Sequence, residues 1–287
     1  MGRYEIIRQQ VRSAVYKAVD TQTDSYFVVD PERGGIVTEF YAGRPVFYMD
    51  RNTYEDPSRY VRGGNPVLFP IVGKLTDDCF FVQGKPHTIP LHGLARNAVW
   101  QLEDQETEDC ARLTLRLNST QAMLAQYPFP FSLHFSYSLR GNCLTVEQHY
   151  ENTGSEPMPA AFGFHPYFFV PQKETASLTV SAAEYLNMQT GRLAPYPGGI
   201  RLDQPEELGY LLLDVSAKQA VLQYGQGAVQ VDFEAPFRHV LVWSLPNAPF
   251  VCVEPWTARP DALNTQEEVI LIPPGETLKT KVSYTAL

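Results

Sequence analysis

The 287-residue chain has little basic charge and no long hydrophobic run. Its formal net charge of −9 argues against a nucleic-acid-binding protein, which would carry a basic stripe, and against binding to an anionic membrane surface. No stretch approaches the roughly 18 apolar residues of a membrane span, and the N-terminus lacks the apolar segment of a secretory signal. These absences favour a cytoplasmic protein that binds neither nucleic acid nor membranes.

Cysteine motifs and nucleotide-binding loops are also missing. The four cysteines are far apart and form no CxxC or other metal-binding spacing, so we expect reduced thiols. Gly73-Lys74 is followed by Leu75, where a P-loop requires serine or threonine. Neither a cysteine metal site nor a phosphate-binding loop of this type is predicted.

Helical signals are few, and strand signals run through the whole chain. Ser119 is the candidate cap of one short helix over the sequence TQAMLAQ. The 23 prolines, 16 tyrosines and 16 phenylalanines suit short strands joined by turns, and segments such as ARLTLRL alternate apolar and polar residues. HVLVWSLPNAPFVCVEPW reads as a hairpin, and CLTVEQHYENTGSEPMPAAFGF as two strands joined near Asn152. We predict one all-β, mainly antiparallel domain over residues 1–287, built as stacked sheets or as a barrel.

A single histidine interrupts the apolar segment AFGFHPYFF. In an extended chain, Phe162, Phe164 and Phe168 face the core, and Gly163 and His165 share the opposite face. Gly163 removes a side chain beside His165 and would leave room for a ligand near the backbone. A structural histidine whose hydrogen bonds are satisfied is an equally ordinary interpretation.

The segment FVCVEPW poses the same question for a carboxylate. Cys252, Glu254 and Trp256 share one face of this strand, and a glutamate there is costly to bury without a partner. Glu254 is either half of a salt bridge or a general base with a raised pKa. Trp256 is either a core residue or an indole face for a sugar ring.

Two further segments carry candidate binding residues. In PLHGLARNAVW, His92 precedes a glycine, and Arg96 offers a fork of donors suited to hydroxyls or to phosphate. In YVRGGNPVLFPIVGKL, Arg62 and Lys74 bracket a glycine-rich turn and an apolar strand. A surface ion pair is the simpler interpretation of such an arginine.

Taken in order, VRGGNPVLFPIVGKL, LHGLARNAVW, NTGSEPMPAAFGFHPYF and FVCVEPW resemble the aldose 1-epimerase (mutarotase) superfamily, including its branch that acts on hexose 6-phosphates. The resemblance runs from about Ser25 to the C-terminus. It implies a large antiparallel β-supersandwich with few short helices. It also implies an isomerase that opens and recloses a sugar ring by acid/base chemistry, without metal or organic cofactor.

The resemblance implies roles for particular residues. Glu254 would be the base, His165 the acid, and His92 would bind the sugar near its ring oxygen. Trp256, Arg62, Arg96 and Lys74 would bind substrate. Lys74 departs from the arginine of many plain aldose epimerases, whereas Gly73-Lys74, Arg62 and Arg96 resemble the hexose 6-phosphate branch. The substrate-binding aspartate of the family has two candidates, Asp203 and Asp214.

Two other classes remain open. His92, His165 and Glu254 could form the two-histidine, one-carboxylate metal site of a cupin-like enzyme, although the short HxH pairing is missing. A non-catalytic carbohydrate-binding sandwich is the other class. The partner expected in each sugar-related case is a small sugar or sugar phosphate. The sequence leaves open which hexose is used and the oligomeric state.

Overall fold

The structure is a computed structural model that describes residues 2–225 and 227–287. Most of its regular secondary structure is strand. The strands are β1 (Tyr4–Gln10), β2 (Ala14–Asp20), β3 (Ser25–Asp30), β4 (Ile36–Ala42), β5 (Val67–Leu68), β6 (Cys79–Val82), β7 (Lys85–Thr88), β8 (Gln101–Glu106), β9 (Ala111–Asn118), β10 (Phe131–Arg140), β11 (Cys143–Asn152), β12 (Met158–Ala160), β13 (Gly163–Phe164), β14 (Tyr167–Phe169), β15 (Ser177–Val180), β16 (Glu184–Asn187), β17 (Leu193–Pro195), β18 (Leu208–Leu213), β19 (Gln219–Tyr224), β20 (Gly227–Phe233), β21 (His239–Ser244), β22 (Phe250–Trp256), β23 (Ile270–Ile272) and β24 (Thr277–Ala286). The α-helices are α1 (Arg51–Glu55), α2 (Gln121–Gln126) and α3 (Ala262–Thr265). None of the helices in the described ranges is long and apolar enough to cross a membrane.

Two eight-stranded sheets form the body of the molecule. The first sheet has the order β15-β19-β20-β24-β11-β10-β9-β8. The other, which we call the site sheet, has the order β17-β16-β18-β21-β22-β13-β5, with β14 also paired to β22. The pairs within both sheets are antiparallel. Strands β1 to β4 form a smaller antiparallel sheet. The predicted all-β, mainly antiparallel architecture is confirmed.

The core lies between the first sheet and the site sheet. Tyr150 of β11 stacks on Phe162 at a centroid distance of 3.9 Å, and Phe135 of β10 packs against Phe164 of β13 at 6.1 Å. All four rings are fully buried, and each contributes about 1.5–3 kcal/mol to folding. The sequence left open stacked sheets or a barrel, and these contacts between two facing sheets show the stacked arrangement of a supersandwich.

Local predictions had mixed outcomes. The hairpin of β21 and β22 is confirmed, with the connection at residues 245–249. Helix α2 exists, but its cap is Thr120, whose side chain accepts from the Met123 N–H, whereas Ser119 Oγ accepts from the Phe131 N–H. The two strands predicted to join near Asn152 are confirmed as β11 and β12, which do not pair with each other: β11 belongs to the first sheet and β12 pairs with β23. That turn sends the chain from one layer to another.

Strand β22 shows why the site lies where it does. Its alternate residues Val251 and Val253 belong to the core between the sheets. Phe250 and Cys252 instead pack in a separate apolar cluster with Tyr167 on the other side of the site sheet. The face predicted from the sequence is therefore confirmed, and it is the face that carries Glu254.

Candidate active site

Two short strands bring the histidine and the glutamate together. β13 and β14 flank His165, and both pair with β22 in one antiparallel register. Because Gly163 pairs with Trp256 and the register continues unchanged into β14, His165 lies directly opposite Glu254. The backbone N–H of His165 also donates to the carbonyl of Pro66, which fixes this short non-strand segment.

The two side chains meet without completing a hydrogen bond. His165 Nδ1 and Glu254 Oε1 are 3.3 Å apart, which is an ion-pair distance. The direction of approach does not satisfy hydrogen-bond geometry, and neither atom has another partner among the described residues. The other carboxylate oxygen, Oε2, accepts from Trp256 Nε1 at 3.1 Å. Trp256 thus holds the carboxylate in place and leaves one oxygen available.

Burial sets the protonation of this pair. It raises the pKa of the Glu254 carboxyl well above its usual range, against the opposing effects of the Trp256 hydrogen bond and the Arg96 charge. It also lowers the pKa of His165 to about 3, and the Arg96 charge adds to that effect. Burial therefore disfavours the charged form of both groups.

A second histidine lies next to this pair. The His92 ring is 5.4 Å from the His165 ring, and its Nδ1 accepts from the Gly73 backbone N–H at 3.1 Å. That bond assigns the ring proton to Nε2, and burial lowers the pKa of His92 well below its usual value. The backbone turns tightly here, with φ of +64° at His92 and +87° at Gly93. Gly93 packs on the Phe69 carbonyl, and a Cβ at this position would lie 2.1 Å from the oxygen. The turn places the neutral His92 ring, with its Nε2–H donor, at the cavity.

The prediction that Gly163 leaves room for a ligand beside His165 is wrong. A Cβ on this residue would lie 2.8 Å from both the Pro255 carbonyl oxygen and a ring carbon of Trp256. The space beside His165 is therefore filled by the adjacent strand and the indole. Glycine is needed there for packing within the site sheet, not for the approach of a ligand.

A cavity of about 300 Å³ opens above His165. His92, Arg96 and Arg62, which the sequence offered as candidate substrate-binding residues, line it together with His165. Lys74 is exposed and outside the lining, and Trp256 and Glu254 are buried behind it. The full lining comprises Tyr60, Val61, Arg62, Leu91, His92, Arg96, His165, Tyr167, Glu207, Leu241 and Trp243.

Arg96 is a buried cation that faces this cavity. It is 8% exposed, and its Nη2 reaches the Val61 carbonyl only at 3.5 Å. Its guanidinium lies 4.7 Å from the centre of the Tyr60 ring, an ordinary cation–π contact. Among the described residues no carboxylate oxygen lies within 4 Å of it. Burial lowers its pKa, and the charge is left available for a group in the cavity.

Sequence reasoning missed the aromatic wall of the cavity. Tyr167 stacks on His165 with ring centres 4.7 Å apart, and Trp243 meets His165 edge-on at 5.8 Å. Trp243 Nε1 donates to Glu207 Oε1 at 2.7 Å, so the indole is held at the cavity edge. Trp243 lies on β21 opposite Cys252, and only the pairing of β21 with β22 reveals that it adjoins the site.

Neither candidate aspartate lines the cavity. Asp203 accepts from Arg201, and Asp214 accepts from Arg238. The carboxylate at the cavity is Glu207, which lies in a segment without a recognisable motif.

The structure brings together a different set of candidate metal ligands from the one considered in the sequence. In the cupin-like set, His92 Nδ1 already accepts from the Gly73 N–H. The group that the structure does bring together is His165, Cys252 and Glu254, whose ligand atoms lie within 4.8 Å of one another.

The fold is an antiparallel supersandwich with a buried histidine–glutamate pair beneath a small cavity, and comparison with known proteins identifies the family. The family model described as "Aldose 1-epimerase" matches residues 21–285. The chain therefore belongs to the aldose 1-epimerase family, which implies an isomerase that acts on sugars.

Individual relatives cover nearly the whole chain. The solved structure of the Slr1438 protein from Synechocystis sp. PCC 6803 is 36% identical, with a TM-score of 0.94 and 99% of each chain covered. A galactose mutarotase-like protein from Clostridium acetobutylicum shares the fold at 17% identity, with a TM-score of 0.85 and 99% of each chain covered. The curated protein LacX (chromosomal) of Lactococcus lactis subsp. lactis is 28% identical over 268 residues, covering 81% of this chain and 88% of LacX.

Proposed function

We propose that the protein is an aldose 1-epimerase that interconverts the α and β anomers of a hexose by acid/base ring opening and reclosure. The observation that carries this proposal is the His165–Glu254 pair, 3.3 Å apart beneath the cavity. The cavity volume of about 300 Å³ is at the lower end of the roughly 300–1,000 Å³ of small-molecule sites. The proposed partner is accordingly a single sugar or sugar phosphate.

The reaction needs one base and one acid. Ring opening takes a proton from the C1 hydroxyl and gives a proton to the ring oxygen, and after rotation about C1–C2 the ring recloses with these roles reversed. We assign the base to Glu254 and the acid to His165. Because one group gains a proton while the other loses one, each ring opening leaves the total number of protons on the pair unchanged. The chemistry therefore calls for no metal and no organic cofactor.

The two groups differ in access. His165 lines the cavity, and because its Nδ1 is buried against Glu254, its Nε2 is the nitrogen available to a sugar. Glu254 has no exposed surface, so contact between Oε1 and an anomeric hydroxyl requires a small displacement of the side chains above it. His92 Nε2–H is placed to donate to a sugar oxygen nearby, and Trp243 offers an aromatic edge at the wall.

A hexose 6-phosphate is the second candidate substrate. The observation that favours it is Arg96, a buried cation at the cavity with no carboxylate partner among the residues that the structure describes. Arg62, which is exposed, lines the same cavity and supplies a second guanidinium. Two such donors suit a phosphate better than neutral hydroxyls.

The test is an anomerisation assay on glucose, galactose and glucose 6-phosphate, by polarimetry or NMR exchange. We expect acceleration with at least one sugar, and His165→Gln should lower turnover on the order of 10²–10⁴-fold. His149→Gln is the matched control, since His149 is half-buried on β11 in the other sheet. Sugar binding without acceleration would contradict the proposal and favour the carbohydrate-binding sandwich.

A further inference from the structure

We propose that His165, Cys252 and Glu254 form a binding site for a thiophilic divalent cation such as Zn²⁺, and that the bound ion inhibits the protein. His165 Nδ1, Cys252 Sγ and a Glu254 oxygen all lie within 4.8 Å of one another, and all three residues are buried. Across residues 2–225 and 227–287 it is the one such group of three. The inhibitory part rests on the proposed function, whereas the binding part does not.

The spacing of two ligand atoms already fits a tetrahedral ion. Zinc bonds of roughly 2.0–2.2 Å to nitrogen and oxygen place two such ligands roughly 3.3–3.5 Å apart. His165 Nδ1 and Glu254 Oε1 are separated by 3.3 Å. With a zinc–sulfur bond of about 2.3 Å, the sulfur belongs about 3.6 Å from the other ligands, so Cys252 Sγ needs to shift by roughly 1 Å at most.

The nitrogen and oxygen ligand atoms have no competing hydrogen-bond partner among the described residues. Neither His165 Nδ1 nor Glu254 Oε1 makes a hydrogen bond within the described chain, although both residues are more than nine-tenths buried. Trp256 Nε1 holds the other carboxylate oxygen, as the second shell of a metal site does. An ion would satisfy two buried polar atoms that the protein leaves unsatisfied.

The sheet holds the three ligands rigidly. Cys252 and Glu254 are alternate residues on the same face of β22, and His165 projects from the facing segment in register with Glu254. Such a frame costs little reorganisation when an ion binds.

The chemistry of the ligands selects the ion. Imidazole and thiolate favour Zn²⁺ or Co²⁺, whereas Mg²⁺ and Ca²⁺ prefer oxygen ligands. On binding, the Cys252 thiol releases its proton to solvent, and the Glu254 carboxyl, in the fraction that is protonated, does the same. One thiolate and one carboxylate then cancel the charge of the dication, with the imidazole neutral, so the buried complex carries no net charge. Three protein ligands leave the fourth position for water or a sugar hydroxyl.

Inhibition follows from the identity of the ligands. A bound ion occupies the lone pairs of His165 Nδ1 and Glu254 Oε1, which are the acid/base pair of the proposed reaction. Proton exchange within the pair then stops. Cys252 takes no part in proton transfer, so a change there separates metal binding from catalysis.

Cobalt serves as the spectroscopic probe of binding. We expect one equivalent of Co²⁺ to give a near-ultraviolet thiolate-to-cobalt charge-transfer band in the full chain, displaced by Zn²⁺ and not by Mg²⁺. Cys252→Ser should remove the band and weaken binding by about 100-fold or more. Cys110→Ser is the matched control, because Cys110 is a buried cysteine outside the group. Absence of the band in the wild type, or its persistence in Cys252→Ser, overturns the site.

Activity tests the second half of the inference. One equivalent of Zn²⁺ should slow anomerisation by about 10²-fold or more in the wild type and in Cys110→Ser, reversibly with EDTA. Cys252→Ser should remain active and resist the ion. Stoichiometric binding without loss of turnover overturns the inhibitory role. If no sugar is anomerised at all, the proposed function fails, but the cobalt spectrum still tests whether the metal site exists. If Cys252→Ser does not fold, the presence or absence of the band in the wild type decides whether the site exists.

Discussion

Replacing Glu254 by glutamine should destroy activity and at the same time stabilise the protein at neutral pH. Glutamine keeps the shape and an oxygen for the Trp256 Nε1 hydrogen bond, but it cannot accept a proton. Loss of a positioned base costs on the order of 10²–10⁴-fold in turnover. The stability gain follows from burial, because Glu254 has no exposed surface.

The sign of the stability change comes from the raised pKa of Glu254. In the unfolded chain this carboxyl ionises near its ordinary pKa, whereas burial keeps it protonated to higher pH in the folded protein. The stabilisation of the wild type that comes from this group is therefore present below the unfolded pKa and is lost as pH rises through the folded pKa. Over that window the glutamine variant should gain about 1.36 kcal/mol relative to the wild type for each pH unit.

The measurement is urea unfolding of both proteins at several pH values between 4 and 8, beside the anomerisation assay. Glu206→Gln is the control, since Glu206 is an exposed glutamate next to Glu207, which lines the cavity. Both proteins keep His165, so its own titration largely cancels in the difference. Near wild-type turnover in the variant would remove Glu254 as the base. A stability difference that stays constant with pH, or that favours the wild type, would refute the argument from burial.

Three further outcomes are expected. Arg96→Met should lower kcat/KM for glucose 6-phosphate roughly 10- to 100-fold more than for galactose if a phosphate binds this buried cation, and Arg62→Met should act less strongly; an equal loss for both sugars would exclude the phosphate. Gly93→Ala should destabilise by about 3 kcal/mol or more in urea unfolding, because its Cβ would meet the Phe69 oxygen at 2.1 Å. Gly84→Ala, with a similar φ and nothing within 4 Å, should cost only about 1–2 kcal/mol, and equal costs would contradict the clash. EDTA should leave anomerisation undiminished, and loss of activity restored by one added metal would contradict the cofactor-free mechanism.

The sequence could identify strand faces but not strand partners. The alternation in FVCVEPW predicted that Cys252 and Glu254 share a face, because side chains alternate along any strand whatever its neighbours. The register that sets His165 opposite Glu254 joins residues about ninety positions apart, and no local pattern encodes it. For the same reason the sequence singled out Trp256, two residues along the strand, while the cavity is walled by Trp243 from the adjacent strand.

The groups proposed for proton transfer and those proposed for substrate recognition come from different parts of the fold. Whether anomerisation occurs and which sugar is bound are therefore separate questions. The proposed acid/base pair belongs to the ladder of β13, β14 and β22, whose geometry is fixed by backbone pairing within the site sheet. The groups that would meet the rest of a sugar come from connecting segments, around residues 60–62 and 91–96, and from Glu207 just before β18. Loops vary more freely than paired strands, so substrate choice can change while the pair is retained. A change at Arg96 therefore tests which sugar is bound, a change at Glu254 tests whether anomerisation occurs by proton transfer, and either result stands without the other.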